Sequence, residues 1–393
     1  MPSTGQDMQE EQAERDRQMV QARADLRASV SPLALRPDLM ECFYAYARDE
    51  GVIGERSSVF GTLLTLLSRL NKDQPLSFAR IGAPSSGKNY VVEIVLATAG
   101  PRPNAPYPPE EAVIRMSSSS DKALVYQGGG DPYALMHKVV YVPEASSLKD
   151  AKGNEKEGTG TLRTLASEGR LDHTVPMLVK DAKGNETRVT MRVTKHGPVA
   201  VIVPTARDNI EPELLTRMML SYADESFGQT GQVRHSRILR TSGFPPARTS
   251  GTTLADWQDY QAFLGFGGPY EVVIPYYYAL RVAFHGMPLP LRARRDIDGI
   301  LVGVKASAIM HQMQRQTDEK GRIVAALDDY NRRKHRFRAG PCGALPPAGR
   351  PRRHRQSSRS SRRPSPTRRR GRRRSPAATS VASTRSPSPT IRL

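Results

Sequence analysis

The sequence predicts an α/β protein with a mostly parallel sheet, and three observations carry that expectation. Short β-branched runs alternate with helix-periodic segments through the first 220 residues. The runs at 139–142 and 199–203 are apolar without a polar alternation, the pattern of strands buried on both faces. A loop reading Gly82-Ala83-Pro84-Ser85-Ser86-Gly87-Lys88-Asn89 joins a strand-like segment to a helix-like one.

In chain order, residues 1–50 read as an N-terminal helical region. Its first 30 residues are polar and charged, with few apolar anchors, and suggest a solvent-exposed helix. Leu39, Phe43 and Tyr46 keep helical spacing, and so do Phe60, Leu63, Leu64, Leu67 and Leu70 after a break at Gly51 and Gly54. Residues 51–230 form the expected α/β core. Within it, 75–81 reads as a strand, 91–99 as a helix, 162–168 as a short helix and 212–219 as helical. Residues 175–179 and 188–193 flank Asp181-Ala182-Lys183-Gly184-Asn185, the signature of a β-hairpin turn. A Gly/Thr/Ser/Pro-rich stretch at 241–253 then introduces a second unit, 231–338, with a strong helix at 297–315 and the look of a helical lid or winged-helix module. The segment Lys-Asp-Ala-Lys-Gly-Asn-Glu occurs twice, at 149–155 and 180–186, and is too short to be a structural repeat.

Of the net charge of +20, the 15 arginines of residues 339–393 supply +15, with no Lys, Asp or Glu among them, which leaves +5 on the preceding 338 residues. The body is thus only mildly basic, and the tail alone signals a polyanion partner. Rich in Arg, Ser, Pro, Gly and Ala, that tail cannot bury a core and is expected to be disordered. Two readings of it stand: a nucleic-acid-binding arm, suggested by triplets such as Arg374-Ser375-Pro376, or the product of an altered reading frame in GC-rich DNA. The two cysteines, Cys42 and Cys342, indicate no disulfide framework and fit a reducing cytoplasm. No apolar run approaches the ~20 residues that cross a bilayer.

The glycine-rich loop matches G-x-x-x-x-G-K-[ST] at Gly82, Gly87 and Lys88. In such a loop, glycines let backbone N–H groups wrap phosphate oxygens, the following helix N-terminus adds partial positive charge, and the lysine reaches the outer phosphates. The last position is Asn89, without the hydroxyl that usually holds Mg²⁺, so only a weak metal contact is expected there. A second strand, 139–142, leads into Pro143-Glu144. Glu144 is the candidate for polarising an attacking water; the alternative is a carboxylate capping the next helix. Pro143 stands where a metal-side aspartate would be expected.

With these residues in place, the chain resembles the AAA-type P-loop ATPase module of DNA primase–helicase proteins of bacteria, phages and mobile elements. The resemblance runs from about residue 51 to 330. It rests on Gly54-Glu55, the loop itself, His137 ahead of the Glu144 strand, Ser167-Glu168-Gly169, the strand ending in Thr205, Glu213-Leu214-Leu215-Thr216-Arg217, Asp224-Glu225-Ser226, Arg294-Arg295-Asp296 and Asp328-Asp329-Tyr330. It implies ATP and Mg²⁺ as cofactors and replication DNA, single-stranded, as partner. It further implies a homo-oligomer up to a hexamer and a separate primase, since primase and zinc-binding portions are absent. Thr205 would be the polar residue that orients water near the γ-phosphate. Arg217 would be an arginine finger reaching a neighbouring subunit's site, and Arg295 a lid contact to nucleotide. The hairpin before residue 199 would point into a central pore, with Lys180, Lys183 and Arg188 on the nucleic-acid backbone, an ordinary exposed hairpin being the alternative.

Overall fold

The computed structural model describes residues 5–109, 111–116, 123–129, 131–145, 157–180, 186–206, 212–285 and 292–334, all in one unit, Met1–Gly343. The tail of residues 339–393 lies outside the described residues, as does the disorder expected of it.

Three helices open the chain: α1 (Gly5–Ala34), α2 (Leu39–Asp49) and α3 (Arg56–Ser68). Strand β1 (Phe78–Ile81) leads through the glycine-rich loop into α4 (Lys88–Ala97). There follow β2 (Val113–Arg115), the single turn α5 (Ala123–Tyr126), β3 (Lys138–Tyr141) and α6 (Glu157–Glu168). The hairpin β4 (Arg170–Lys180) and β5 (Glu186–His196) precedes β6 (Val199–Thr205), α7 (Pro212–Leu215) and β7 (Met219–Tyr222). The remainder is helical apart from two two-residue strands. It comprises α8 (Phe227–Thr241), α9 (Leu254–Gly265), β8 (Val272–Val273), α10 (Tyr277–Phe284), α11 (Ala293–Met310), β9 (Ile323–Val324) and α12 (Leu327–Lys334).

The expected α/β architecture is present: a five-stranded sheet of order β2-β3-β6-β1-β7 in which every pairing is parallel. Parallel neighbours need crossovers, and the helices between strands cover both faces. Alternation along each strand sorts side chains onto two cores. Phe78, Val139, Tyr141, Ala200 and Ile202 face one cluster with α3 and α4, while Ala79, Val140, Val142, Val201 and Val203 face the other with α6. Burial on both faces explains why these strands read as unbroken apolar runs.

Three sequence expectations are corrected. The second half of α1 is not a solvated helix: Ala22, Leu26, Val30 and Leu33 form a stripe at three- and four-residue spacing, buried where α1 packs on α9. The segment 212–219 is helical only to Leu215; Met219 begins the edge strand β7, paired to β1 from Phe78↔Met219 to Ile81↔Tyr222. The strong helix of the last third begins and ends about four residues earlier than the expected 297–315, and a 3-10 turn at Gln312–Gln314 follows it. Trp257, Phe263, Val304 and Ile309 of the last third belong to the same core cluster as Phe43, Leu63 and Phe78.

Candidate functional site

Three strand ends meet at the carboxyl edge of the sheet. β6 lies between β1 and β3, with Ile81 opposite Thr205 and Tyr141 opposite Ile202. The ladder continues one step beyond the strands through Gly82 N–H to Thr205 O at 3.0 Å and Val142 N–H to Ile202 O at 3.0 Å. The glycine-rich loop, Thr205 and Glu144 therefore leave the same edge side by side, the place where ligands bind in open parallel sheets.

They line a single cleft of about 380 Å³ whose walls include Ser85, Gly87, Lys88, Asn89, Pro143, Glu144 and Thr205. The loop's shape follows from its sequence. Ser85 and Gly87 both take positive φ, 66° and 74°, and Gly87 is the N-cap of α4, so Lys88 is the first residue of that helix. Gly82 has no room for a side chain: an added Cβ would come within 2.5 Å of Ser86 Oγ and 2.7 Å of Ala223 Cβ. Lys88 Nζ donates to Ala83 O at 3.0 Å, across the mouth of its own loop. The Ala83 N–H is held by Glu225 Oε1 at 2.6 Å, so the amides open to an anion are those further along, toward the α4 N-terminus.

Asn89 lines the cleft, and its Nδ2 donates to Pro143 O at 3.0 Å, which ties α4 to the segment carrying Glu144. The cleft walls offer the side-chain oxygens of Ser85, Asn89, Glu144 and Thr205, with one carboxylate among them. No group of three or more His, Cys, Asp or Glu able to hold a metal occurs among the described residues. Thr205 is 2 % exposed and its hydroxyl donates to Ala206 O at 2.8 Å. Glu144 is exposed.

Two sequence-selected residues stand elsewhere. Arg217 follows α7 and pairs with Glu213 at 2.9 Å; Arg163 reaches the same carboxylate at 3.0 Å. Arg295, on α11, donates from Nη1 to Thr216 Oγ1 at 2.6 Å and does not line the cleft, so it sits with Arg217 rather than over the glycine-rich loop. Arg217 and nearby Arg163 and Arg295 hold the Glu213 carboxyl below the usual range, the Arg217 hydrogen bond being the largest cause. Lys180 and Arg188 lie on β4 and β5, where Leu178 pairs with Arg188 and Lys180 with Glu186. Lys183 lies outside the described residues.

Sequence reasoning missed the support beneath the loop. Glu55, in a left-handed conformation (φ 58°) at the start of α3, makes a two-point contact with Arg80 of β1, at 2.9 and 3.1 Å. Its Oε1 also accepts the Asp224 N–H at 3.0 Å. The pair is almost wholly buried, with Arg80 0 % and Glu55 7 % exposed, and burial pulls the Arg80 guanidinium pKa down. An arginine two residues before a glycine-rich loop, with an acidic residue opening the preceding helix, was the available signal. A scan against protein-family models finds no match to the chain, and a search of curated proteins finds none either.

Proposed function

We propose that the chain is an ATP-binding and ATP-hydrolysing motor module of helicase type that acts on DNA in the replication of a phage or mobile element. The observation that carries this reading is the convergence of Lys88, Glu144 and Thr205 on one cleft at the carboxyl edge of adjacent parallel strands. In this reading, the amides at the α4 N-terminus and Lys88, turning from Ala83 O, hold the β- and γ-phosphates. Glu144 takes a proton from water as its oxygen attacks the γ-phosphorus and the bond to the β-phosphate oxygen breaks, releasing ADP and phosphate. The Thr205 hydroxyl orients that water. Magnesium carried on the phosphates would neutralise developing charge, beside Asn89.

Arg217 serves a neighbouring copy in this reading, since it does not line its own cleft; that supports a homo-oligomer, up to a hexamer. The resemblance to AAA-type primase–helicase modules also makes residues 231–338 a lid, with a winged-helix character, and a separate primase a partner. The test is ATP turnover by the full chain with and without single-stranded DNA. Lys88→Ala should lower turnover at least 100-fold; a fall no larger than that of a surface lysine variant sinks the proposal.

A second reading is favoured by one contact. Asn89 offers no hydroxyl and spends its amide group on Pro143 O, which suits a nucleotide-binding switch that assembles on DNA without efficient hydrolysis. Asn89→Thr separates the two: a tenfold or greater gain in turnover supports the switch, and an unchanged rate supports the motor.

A further inference from the structure

The β4–β5 hairpin presents two unlike faces. Its register is continuous from Arg170↔His196 to Lys180↔Glu186, so residues opposite one another share a face and alternate along each strand. At the root of the ribbon one face carries Arg170, Arg192 and His196, with Asp172 against them. The other carries Leu171 and Val193, which pack into the core. Such a pattern aims the charge at the root in a single direction.

The root of that cationic face is fixed firmly. Lys195, fully buried, donates from Nζ to Gly129 O at 2.9 Å and Asp131 O at 2.7 Å, and His196 N–H donates to Pro132 O at 2.7 Å. The same turn is closed by Asp131 Oδ1, which accepts the Tyr133 N–H at 2.8 Å. Tyr133 thereby comes to stack on the His196 ring, with centroids 5.1 Å apart and planes 23° apart, while the tyrosine stays 58 % exposed. Beside it, Asp172 accepts from Arg170 at 2.9 Å and Arg192 at 3.1 Å, and both guanidinium groups remain half or more exposed. Hydrogen bonds from Thr194, Arg170 and Arg192 hold that carboxyl far below its usual range, so the anion stays in place to orient two arginines.

We infer that the Tyr133–His196 pair is a base-stacking post for a single-stranded nucleic acid whose backbone follows the Arg170–Arg192 face at the root of the hairpin. It rests on the DNA reading above and adds a contact at the root of the hairpin to those at its tip. The chemistry decides for nucleic acid over an acidic peptide. A peptide would use the charges, whereas only a strand with bases also uses an open aromatic face backed by a second ring. Base-on-aromatic stacking is worth about 1–3 kcal/mol per base, or roughly 5–150-fold in affinity.

The test compares a fluorescently labelled oligothymidylate with an abasic strand of the same length, bound to the full chain without nucleotide. Tyr133→Ala should weaken the thymidylate at least fivefold and leave the abasic strand unchanged, while Tyr133→Phe should bind like the parent. Arg192→Gln should weaken both strands and lower the salt slope by about one. Because the arginines of residues 339–393 hold any polyanion, the site is also mapped with an iodouracil oligonucleotide, whose photocrosslink should fall on Tyr133 or His196. An equal loss on both strands for Tyr133→Ala, no loss on either, or crosslinks confined to other parts of the hairpin overturns the post while leaving the motor reading intact. Absence of crosslinks anywhere in residues 1–338 overturns both the post and the DNA partner. Equal displacement of the thymidylate and the abasic strand by polyglutamate, with no preference for bases, assigns the face to acidic peptides and also overturns the post.

Discussion

Removing the Glu55 carboxylate should cost far more than a surface charge substitution, because of what it leaves behind. Arg80 is 0 % exposed and its guanidinium has Glu55 as its ionic partner, through two contacts at 2.9 and 3.1 Å. Glu55→Ala strands a buried cation, a loss of about 3–5 kcal/mol where such pairs have been broken. It also removes the acceptor of the Asp224 N–H and of the Ser58 hydroxyl. With a urea m-value near ~3 kcal/mol/M, a loss of about 3–5 kcal/mol should lower the midpoint by about 1–1.7 M. Trp257, the one tryptophan, is buried against Phe43 in the main core and reports the transition by fluorescence. The double variant Arg80→Met with Glu55→Gln removes the stranded charge and keeps an acceptor for Asp224 N–H, so it should recover most of the midpoint. A single variant that loses less than about 1 kcal/mol, or a double variant as unstable as the single, refutes the view that charge burial beneath the loop sets this cost.

Gly82→Ala should abolish nucleotide binding measured by a fluorescent ATP analogue while the fold persists by circular dichroism, because its Cβ has no space beside Ser86 and Ala223; binding within threefold of the parent contradicts this. Asp49 is pushed up by burial but held lower overall by hydrogen bonds from Ser250 and Thr249, so its folded carboxyl lies below the ordinary value. Its stabilisation is complete at neutral pH and fades as pH drops below about 4, so Asp49→Asn should lower stability at pH 7 and flatten the acid limb of a stability–pH curve. Arg217→Ala and Lys88→Ala should each be inactive alone, yet a mixture should regain measurable ATPase, since some contacts between copies then combine an intact Lys88 with an intact Arg217. Co-assembled mixtures without activity at every ratio would remove Arg217 from a neighbour's site.

The parts of the fold that the sequence announces are those where one local force dominates. The runs behind β3 and β6 are buried on both faces and need no polar alternation, and the Gly82–Asn89 loop needs glycine where φ is positive or space is absent. Edge elements stayed hidden for the opposite reason. Strand β7 is four residues long, half-buried except for the buried Ser221, and β2 is three residues long, so neither carries enough periodicity to stand out from a helix or loop. The helix α8 has a single buried residue, Ser236, and therefore no apolar stripe to read. In α1, the stripe Ala22-Leu26-Val30-Leu33 was present but diluted by flanking charge. At the cleft, Lys88 is legible from the loop motif and Glu144 from its strand-end context, whereas Thr205 is singled out only by the resemblance. Glu225 and the Tyr133–His196 stack depend on contacts between segments distant in the chain and have no local signature, whereas the Glu55–Arg80 pair leaves only an arginine just before the loop and an acidic residue opening the preceding helix. The position of Arg295 on Thr216 was illegible for the same reason.

The account stands most directly on Glu144. The decisive measurement is a paired determination, on Glu144→Gln in the full chain, of ATP affinity by equilibrium binding and of turnover under single-turnover conditions. In the proposed reading Glu144 acts on the water while the loop amides and Lys88 hold the phosphates, so affinity should stay within a fewfold of the parent while the chemical step slows by about 10²–10⁴. A variant that binds and hydrolyses ATP as the parent does would contradict the assignment of Glu144 and, with it, the claim that this cleft is where the γ-phosphate is cleaved.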